Sequence, residues 1–500
     1  MKMSKRRRRS GFWSGSARRE NSGVAAELLE QRCCLTGNVK AVLTGTGTGA
    51  TLTLTGDAQA NDITIEDNGS NLIVTGNNET KIGGEASKAF NALGGTLSVK
   101  LGEGDDAVTI QGGLGTIFKP IKKLTLDLGN GNNALTASNM TVNGDLSIIG
   151  GTGNDTVQIN EAVATGGNIS VNLGAGENSL TTVAAVTIGG TLSIIGGNGN
   201  DNVLLGGLVG TKSLTVNLGN GANSLTTEVK VNATTSTSIT GGVGNDTMQL
   251  NGEVVTPTFS VNLGGGVNSL TTGATVNAKT SVSITGGAGG DTVQLNGGVL
   301  TKKLTATLSD GNDTFNSVTG ISDVADFETN PNAKGTILTV DLGKGDDSAN
   351  VQNVFGNIVL FTLGDGNNTF VLNNINALKL TLNGGTGNDN TTVDLLTTDN
   401  FFVNLGNGAN SLTATNPYVG KLDYTGGAGT DQVTLSDTDD AVSSIDQLFV
   451  KLGLGDDSLT INSLSVFLNI NIDGGVGTDT FTDNGGARPT GSKFVKKNFE

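Results

Sequence analysis

The feature that most constrains this chain is a glycine-rich turn, G-x-G, which recurs at a nearly fixed interval from Gly104 to Gly477. Most intervals are 21 to 23 residues long. A short stretch of alternating apolar and polar residues precedes each turn and another follows it, as in Ile169–Leu173 and Val157–Ile159. Alternation with period two is typical of strands with one buried face, and a fixed period of this length is typical of a solenoid. We therefore predict an all-β chain that forms a right-handed parallel β-helix (β-solenoid) of about 21–23 residues per coil.

The composition agrees with a core of small stacked layers. The chain has 78 Gly and only 4% aromatic residues, and it is rich in Val, Ile, Leu and Thr, which favour strands. It contains no His, and its only two cysteines are the adjacent pair Cys33 and Cys34. This inventory excludes Ser-His-Asp and Cys-His nucleophilic sites and any imidazole-bound zinc. We expect a protein that is not an enzyme.

The charge is unevenly distributed. The net charge is −16, yet the first 37 residues carry nine Lys and Arg against three Glu. Residues 38–487 carry 17 Lys against 42 acidic residues, so this part favours cations and disfavours nucleic acid. The chain contains no apolar run long enough to predict a membrane-spanning helix or an ordinary signal peptide.

These shifts divide the chain into four segments. Residues 1–38 are a basic leader that we expect to be disordered, and residues 39–95 are an N-terminal cap with the first irregular coils. Residues 96–484 are the parallel β-helix repeats, and residues 485–500 are a C-terminal tail. The interval between Gly311 and Gly345 is 34 residues, which predicts an insertion loop at 321–335.

The leader carries a short motif. The stretch "LLEQRCCLTG" resembles the L-E-x-R-x-L-L motif that follows a basic leader in exported surface proteins of planctomycete-type bacteria. Cys33 and Cys34 stand where that family usually has apolar residues. The resemblance implies an extracellular or cell-surface location. The matching residues are Leu29, Glu30, Arg32 and Leu35.

Seven of the turns have the pattern G-G-x-G-x-D. They resemble single units of the calcium-binding nonapeptide of repeats-in-toxin (hemolysin-type) proteins, and the resemblance implies Ca²⁺ held by the aspartate and by turn carbonyls. The candidate metal ligands are Asp155, Asp201, Asp246, Asp291, Asp389, Asp431 and Asp479.

This chain departs from that family in one respect. The units do not run in tandem, because the intervening turns have Asn in the equivalent position. We therefore expect each metal site to be completed by the neighbouring Asn turn. The alternative is a turn without metal, in which Gly supplies positive φ and Asp or Asn caps the corner. The Asn residues are Asn178, Asn223, Asn268 and Asn410, and further acidic candidates are the pairs Asp105 and Asp106, Asp346 and Asp347, and Asp456 and Asp457.

Taken together, the sequence predicts a non-enzymatic exported cell-surface or extracellular β-solenoid with a structural or adhesive role. The expected partners are calcium ions and components of the cell envelope or extracellular matrix. One alternative is a type I-secreted, calcium-dependent, toxin-like protein. Another is a β-helix carbohydrate-active enzyme, which would need Lys302, Lys303 or Lys344 beside two carboxylates in a groove.

Overall fold

The computed structural model describes residues 37–68, 70–91, 94–112, 121–323, 335–438, 443–488 and 493–500. These residues belong to one compact unit. The basic leader, with Cys33, Cys34 and the L-E-x-R motif, lies outside the described residues, as do residues 324–334 of the expected insertion.

Nearly all of the described chain is strand, apart from turns and one 3₁₀ turn at Gly47–Gly49. The first strands are β1 (Asn38–Thr44), β2 (Thr51–Thr55), β3 (Asp62–Asp67), β4 (Asn71–Gly76), β5 (Lys81–Ile82), β6 (Ser87–Asn91), β7 (Thr96–Lys100), β8 (Ala107–Gly112), β9 (Lys123–Asp127), β10 (Ala134–Ser138) and β11 (Met140–Val142). The next are β12 (Asp145–Thr152), β13 (Thr156–Ile159), β14 (Val163–Thr165), β15 (Ile169–Ala175), β16 (Ser179–Thr182), β17 (Val186–Ile188), β18 (Thr191–Asn198), β19 (Asn202–Leu205), β20 (Val209–Asn220), β21 (Ser224–Thr227), β22 (Val231–Val243), β23 (Thr247–Leu250), β24 (Val254–Gly265), β25 (Ser269–Thr272), β26 (Val276–Thr285), β27 (Thr292–Leu295), β28 (Val299–Thr301), β29 (Lys303–Thr307) and β30 (Thr314–Ser317). The last are β31 (Ile321–Ser322), β32 (Thr336–Asp341), β33 (Ser348–Gly364), β34 (Thr369–Thr386), β35 (Asn390–Asn407), β36 (Ser411–Thr415), β37 (Tyr418–Gly426), β38 (Gln432–Ser436), β39 (Ser444–Leu454), β40 (Ser458–Asn462), β41 (Ser465–Val476), β42 (Thr480–Asp483) and β43 (Lys493–Lys497).

A typical coil has three strands, as in β15, β16 and β17. Each strand pairs in parallel with its equivalent in the neighbouring coils, so β15 lies between β12 and β18. Most hydrogen-bonded equivalents are 21, 22 or 23 residues apart. The predicted all-β solenoid of stacked parallel coils is therefore confirmed.

The core is a continuous apolar column inside the stack. In β15 the side chains alternate between buried and solvent-facing positions, so that Ile169, Val171 and Leu173 point inward. The later coils add buried rings, including Phe361 and Phe370, which meet edge to face. Small branched side chains fill each layer, because a coil of this length encloses little volume.

The N-terminal end of the stack differs from its body. Strand β1 pairs antiparallel with β2, and β4 pairs antiparallel with both β3 and β6. These hairpins occupy the hydrogen-bonding edge that the first coil would otherwise expose.

The expected insertion and the expected tail each contain a strand. Ile321 and Ser322 still form a strand, β31, which pairs with β28. Beyond the insertion β32 pairs directly with β29, so the stack continues without a gap. At the other end β43 (Lys493–Lys497) pairs in parallel with β41 and prolongs the stack into the expected tail.

Candidate functional site

The seven predicted aspartates lie above one another at one corner of the stack. Each has an exposed fraction of 1% or less. Most successive members are separated by a coil with Asn at the same position, as Asn178 stands between Asp155 and Asp201. The whole column comprises Asn61, Asp106, Asn133, Asp155, Asn178, Asp201, Asn223, Asp246, Asn268, Asp291, Asp313, Asp347, Asn368, Asp389, Asn410, Asp431, Asp457 and Asp479.

Hydrogen bonds link this column from end to end, and we call it the corner ladder. The backbone N–H of each member donates to the Oδ1 atom of the member in the next coil, with N···O distances of 2.6 to 3.1 Å. Asp155 donates to Asn178 at 2.8 Å, and Asn178 donates to Asp201 at 3.0 Å. Since each bond satisfies a buried backbone donor, the ladder fixes the register of every coil against the next.

The first glycine of the G-G-x-G-x-D pattern makes room for the inward carboxyl group. A Cβ atom on Gly150 would lie 2.5 Å from Asp155 Oδ2 and 2.1 Å from the Leu173 carbonyl oxygen. Only glycine fits there. The same close approach to the aspartate Oδ2 occurs at Gly196, Gly241, Gly286, Gly384, Gly426 and Gly474.

The Asn corners are built differently. All but the Asn61 corner, which starts with Gly56, have a buried Leu in place of that first glycine, as at Leu173 and Leu218, and we call them Leu corners. The Asn Nδ2 atom donates to carbonyl oxygens of its own corner, as Asn223 does to Gly219 at 3.3 Å and to Gly221 at 3.1 Å. Every Asn member of the ladder except Asn61 therefore satisfies both ends of its amide, whereas Asn61 Oδ1 has no hydrogen-bond partner.

Most aspartates of the ladder have one carboxyl oxygen without a hydrogen-bond partner. Their Oδ1 atoms accept the ladder hydrogen bond, but an ionised carboxylate has no donor with which to answer a carbonyl. Only Asp291 Oδ2 accepts a bond, from the Gly287 N–H at 3.0 Å. Ten buried Oδ2 atoms have no hydrogen-bond partner, those of Asp106, Asp155, Asp201, Asp246, Asp313, Asp347, Asp389, Asp431, Asp457 and Asp479.

Burial shifts the ionisation of these carboxyl groups. Loss of solvation raises the pKa of Asp389 and of Asp431 to about 6, against the lowering effect of the ladder hydrogen bonds. It raises the pKa of Asp155, Asp201 and Asp246 as well. These five carboxyl groups thus hold their protons more tightly than solvated ones do.

Four ladder aspartates occupy Leu corners, where the other coils have Asn. They are Asp106, Asp313, Asp347 and Asp457. As a result the ladder contains two runs of three consecutive acids, Asp291–Asp313–Asp347 and Asp431–Asp457–Asp479. Burial, followed by the charges of Asp347, Asp291 and Asp310, raises the pKa of Asp313 to about 7.

The paired aspartates divide between two environments. In each pair the first residue is exposed and the second is buried, so Asp105 faces solvent while Asp106 belongs to the corner ladder. Burial raises the pKa of Asp106 and of Asp347 to about 6. The two carboxylates of a pair therefore do not converge on one ligand.

A second ladder on the outside of the same corner was not predicted from the sequence. The N–H of Asn154 donates to Asn132 Oδ1 at 2.8 Å, and the N–H of Glu177 donates to Asn154 Oδ1 at 2.8 Å. The sequence signal for this second ladder is the Asn that precedes the aspartate in "GND". This Asn also forms hydrogen bonds from coil to coil. Both polar residues of that turn thus hold neighbouring coils together.

Two further residues bear on the chemistry. Burial and the charges of Asp431 and Asp457 raise the pKa of the Tyr424 hydroxyl. Lys344 pairs through its backbone with Asp310 on one side and Asp365 on the other. The side chains of Lys344, Asp310 and Asp365 are exposed, as are those of Lys302 and Lys303.

The ladder meets only part of what a calcium site needs. Ca²⁺ takes six to eight oxygen ligands. Six of the seven predicted aspartates offer one unpartnered oxygen, the exception being Asp291, and corner carbonyls lie nearby, so the donors are of the right kind. No group of three or more acidic, His or Cys side chains with the arrangement of a metal site occurs among the described residues. Most ligands would therefore have to be backbone carbonyls, and the metal role of the seven aspartates stays a prediction.

No protein-family model, no curated protein and no solved structure matches this chain. Among the residues that the structure describes, no helix is long and apolar enough to cross a membrane.

Proposed function

We propose that this chain is a non-enzymatic structural β-solenoid, exported to the cell surface or the extracellular space, where it has an adhesive role. The observation that carries the proposal is the corner ladder, unbroken from Asn61 to Asp479. It places eleven buried aspartates in contacts that hold neighbouring coils together. What remains is a long, repetitive surface on a stable scaffold, which suits extended binding.

The location follows from the leader motif and is tested in the native cell. Intact cells are treated with a protease that cannot enter them, and the chain is followed with an antibody against a coil peptide. We expect digestion of the chain on intact cells or its recovery from the medium, with a cytosolic marker left intact. A chain that stays protected until the cells are lysed would rule out export.

We further propose that the G-G-x-G-x-D turns, which we call the Gly corners, hold Ca²⁺, since the unpartnered Oδ2 atoms lie beside corner carbonyl groups. Calorimetric titration of the full chain with CaCl₂ should give heat of binding, and the melting temperature should rise with Ca²⁺ relative to chelator. The double variant Asp201→Asn and Asp246→Asn should lose part of that heat. Asp399→Asn, at an exposed acid outside the corners, is the matched control. An unchanged melting temperature at millimolar Ca²⁺ would contradict the calcium proposal but not the structural one.

A further inference from the structure

The outward face of one sheet changes character along the stack. For twelve consecutive coils one outward row contains only Ser and Thr, and further along the same row come Phe402 and Phe449. The hydroxyl row is Thr53, Ser98, Thr125, Ser147, Ser170, Ser193, Thr215, Ser238, Ser260, Ser283, Thr305 and Thr339.

Both rings lie on the solvent side of the sheet. Phe402 stands between Phe401 and Val403, which are buried, and it is itself only half-buried. Phe449 has the same placement two coils further on, with Asp423 between them in the row. Neither ring belongs to the buried core, and apolar groups that gather on a solvent face mark an interaction site more often than scattered ones do.

Lysine side chains flank the rings. Lys379 Nζ lies 5.1 Å from the centre of the Phe402 ring, and Lys421 Nζ lies 5.4 Å from it. Lys421 Nζ also lies 4.9 Å from the centre of the Phe449 ring. Contacts of this kind hold an ammonium group in place, so less freedom is lost when an anion binds to it.

The surrounding rows are cationic although the molecule is acidic. Three outward rows on β34, β35, β37, β39, β41 and β43 form what we call the lysine–phenylalanine face. It contains five lysines and two aspartates, whereas the whole chain has a net charge of −16. The charged residues are Lys379, Lys421, Lys451, Lys493, Lys497, Asp423 and Asp473.

We propose that the lysine–phenylalanine face binds a linear acidic polysaccharide that carries a carboxylate on every second sugar. This polysaccharide would be the partner in the adhesive role proposed above, so the biological role of the binding rests on that proposed function. The polymer runs along the stack, across the strands. Its carboxylates meet Lys379 and Lys421, and its hydroxyl groups meet the amides of Asn400 and Gln447, which alternate with these lysines in one row.

The spacing selects this polymer. Lys379 and Lys421 are two coils apart, which corresponds to roughly 9.6 Å between equivalent strands. A sugar ring in an extended chain is about as long as one strand spacing, so every second sugar meets a lysine. Nucleic acid fits less well, because duplex DNA carries a charge about every 1.7 Å. The face also lacks Arg and includes two acids.

The test uses the purified full chain, so that it does not depend on export. The probe is a hyaluronan oligosaccharide, which has one carboxylate per disaccharide. Carboxyl-reduced hyaluronan is the neutral control, and single-stranded DNA of equal charge is the competing polyanion. We expect salt-sensitive binding of hyaluronan alone. Equal binding of the DNA, or no binding of hyaluronan, would overturn the proposal whether or not the chain is exported.

Variants locate the site. The double variant Lys379→Gln and Lys421→Gln should bind hyaluronan about tenfold more weakly, since two exposed ion pairs are lost. Phe402→Thr with Phe449→Thr should weaken binding severalfold although every lysine remains. Lys303→Gln, at an exposed lysine of an earlier coil, should bind as the unmodified chain does. Undiminished binding by the lysine double variant would overturn the assignment.

One variant should bind more tightly, and a folding defect cannot imitate that result. Lys421 Nζ forms an ion pair with Asp423 Oδ2 at 2.8 Å. Asp423→Asn removes this competitor and frees the ammonium group. We expect hyaluronan binding to strengthen severalfold. Weaker or unchanged binding by Asp423→Asn would contradict the role of Lys421.

Discussion

At each Gly corner of the stack, one glycine determines whether a carboxyl group can turn inward. Gly241 has a negative or extended φ, so its backbone does not require glycine. The packing around Gly241 does require glycine, because a Cβ atom would lie 2.5 Å from Asp246 Oδ2 and 2.2 Å from the Leu263 carbonyl oxygen. The pattern that resembles a calcium motif thus has a packing reason of its own.

We therefore expect Gly241→Ala to lower the free energy of unfolding by about 1–3 kcal/mol, the usual effect of overpacking. The measurement is urea unfolding followed by far-UV circular dichroism. Gly265→Ala is the matched control, since a Cβ atom there has nothing within 4 Å. Equal effects of the two substitutions would show that Gly241 is not required for space.

The consecutive acids predict an unusual pH dependence. Burial raises the pKa of Asp313 from its ordinary value of 3.8 to about 7, and the neighbouring charges of Asp347, Asp291 and Asp310 add to this. Between pH 4 and pH 7 the folded chain therefore keeps a proton that the unfolded chain has lost. The free energy of unfolding should fall as pH rises through this window, by up to about 1.4 kcal/mol per pH unit for this proton.

Asp313→Asn should remove the part of the slope that this proton contributes, because Asn is neutral and can donate to the corner carbonyls. At pH 5 the variant and the unmodified chain should have similar urea midpoints. At pH 8 the variant should be more stable, by on the order of 2 kcal/mol. Asp399→Asn serves as the control at an exposed acid. A variant that keeps the original pH slope would contradict a protonated Asp313.

The sequence predicted where these aspartates recur, but not which way they point. Period and pattern identify Asp155 and its six equivalents as corner residues, since each follows the same turn. Their burial depends on the clearance at the first glycine and on the Asn in the next coil. Those are contacts between residues about 22 positions apart, and one turn read alone does not reveal them. The role of Asn154 in the outer ladder was missed for the same reason.

At the scale of elements, the strands on either side of the insertion already pair with each other. Strand β29 pairs with β32, and β30 pairs with β33, so that strands from before and after the insertion are direct neighbours. The ladder also crosses it, from Asp313 to Asp347 at 2.7 Å. The repeat period predicts an insertion in this interval, but it does not reveal the short strand β31 at Ile321–Ser322.

Deleting residues 324–334 shortens the 34-residue interval between Gly311 and Gly345 to 23, the length of an ordinary coil. We expect the free energy of unfolding to change by no more than about 0.5 kcal/mol, since the pairing strands are untouched. Urea unfolding measures this. As a contrast, deleting Thr314–Ser317, which form β30, should disrupt the coil. A large loss of stability without residues 324–334 would mean that the insertion packs on the stack.

At the scale of the whole molecule, the stack has a repeat of two coils. Gly corners and Leu corners alternate through its middle, so that Gly196 and Gly241 are separated by Leu218. In one coil a buried carboxyl group lies beside a glycine, and in the next coil a leucine fills the equivalent position. Because each coil contacts only its neighbours, stability should depend on which corner types meet as well as on the number of coils.

Two deletions separate these possibilities. Removing residues 200–244 takes out two coils and joins Gly199 to Asn245, which restores "GNGND" and keeps the alternation of corners. Removing residues 200–221 takes out one coil and joins Gly199 to Ala222, so that a corner with Gly196 at its start and Asn223 at its end lies against the Gly241 corner, without Leu218 between them. We expect the longer deletion to melt close to the unmodified chain. The shorter one should be less stable by roughly 2–4 kcal/mol, the cost of an unfilled leucine-sized space. Thermal melting of both variants decides the matter, and a shorter deletion as stable as the longer one would show that the two corner types are interchangeable.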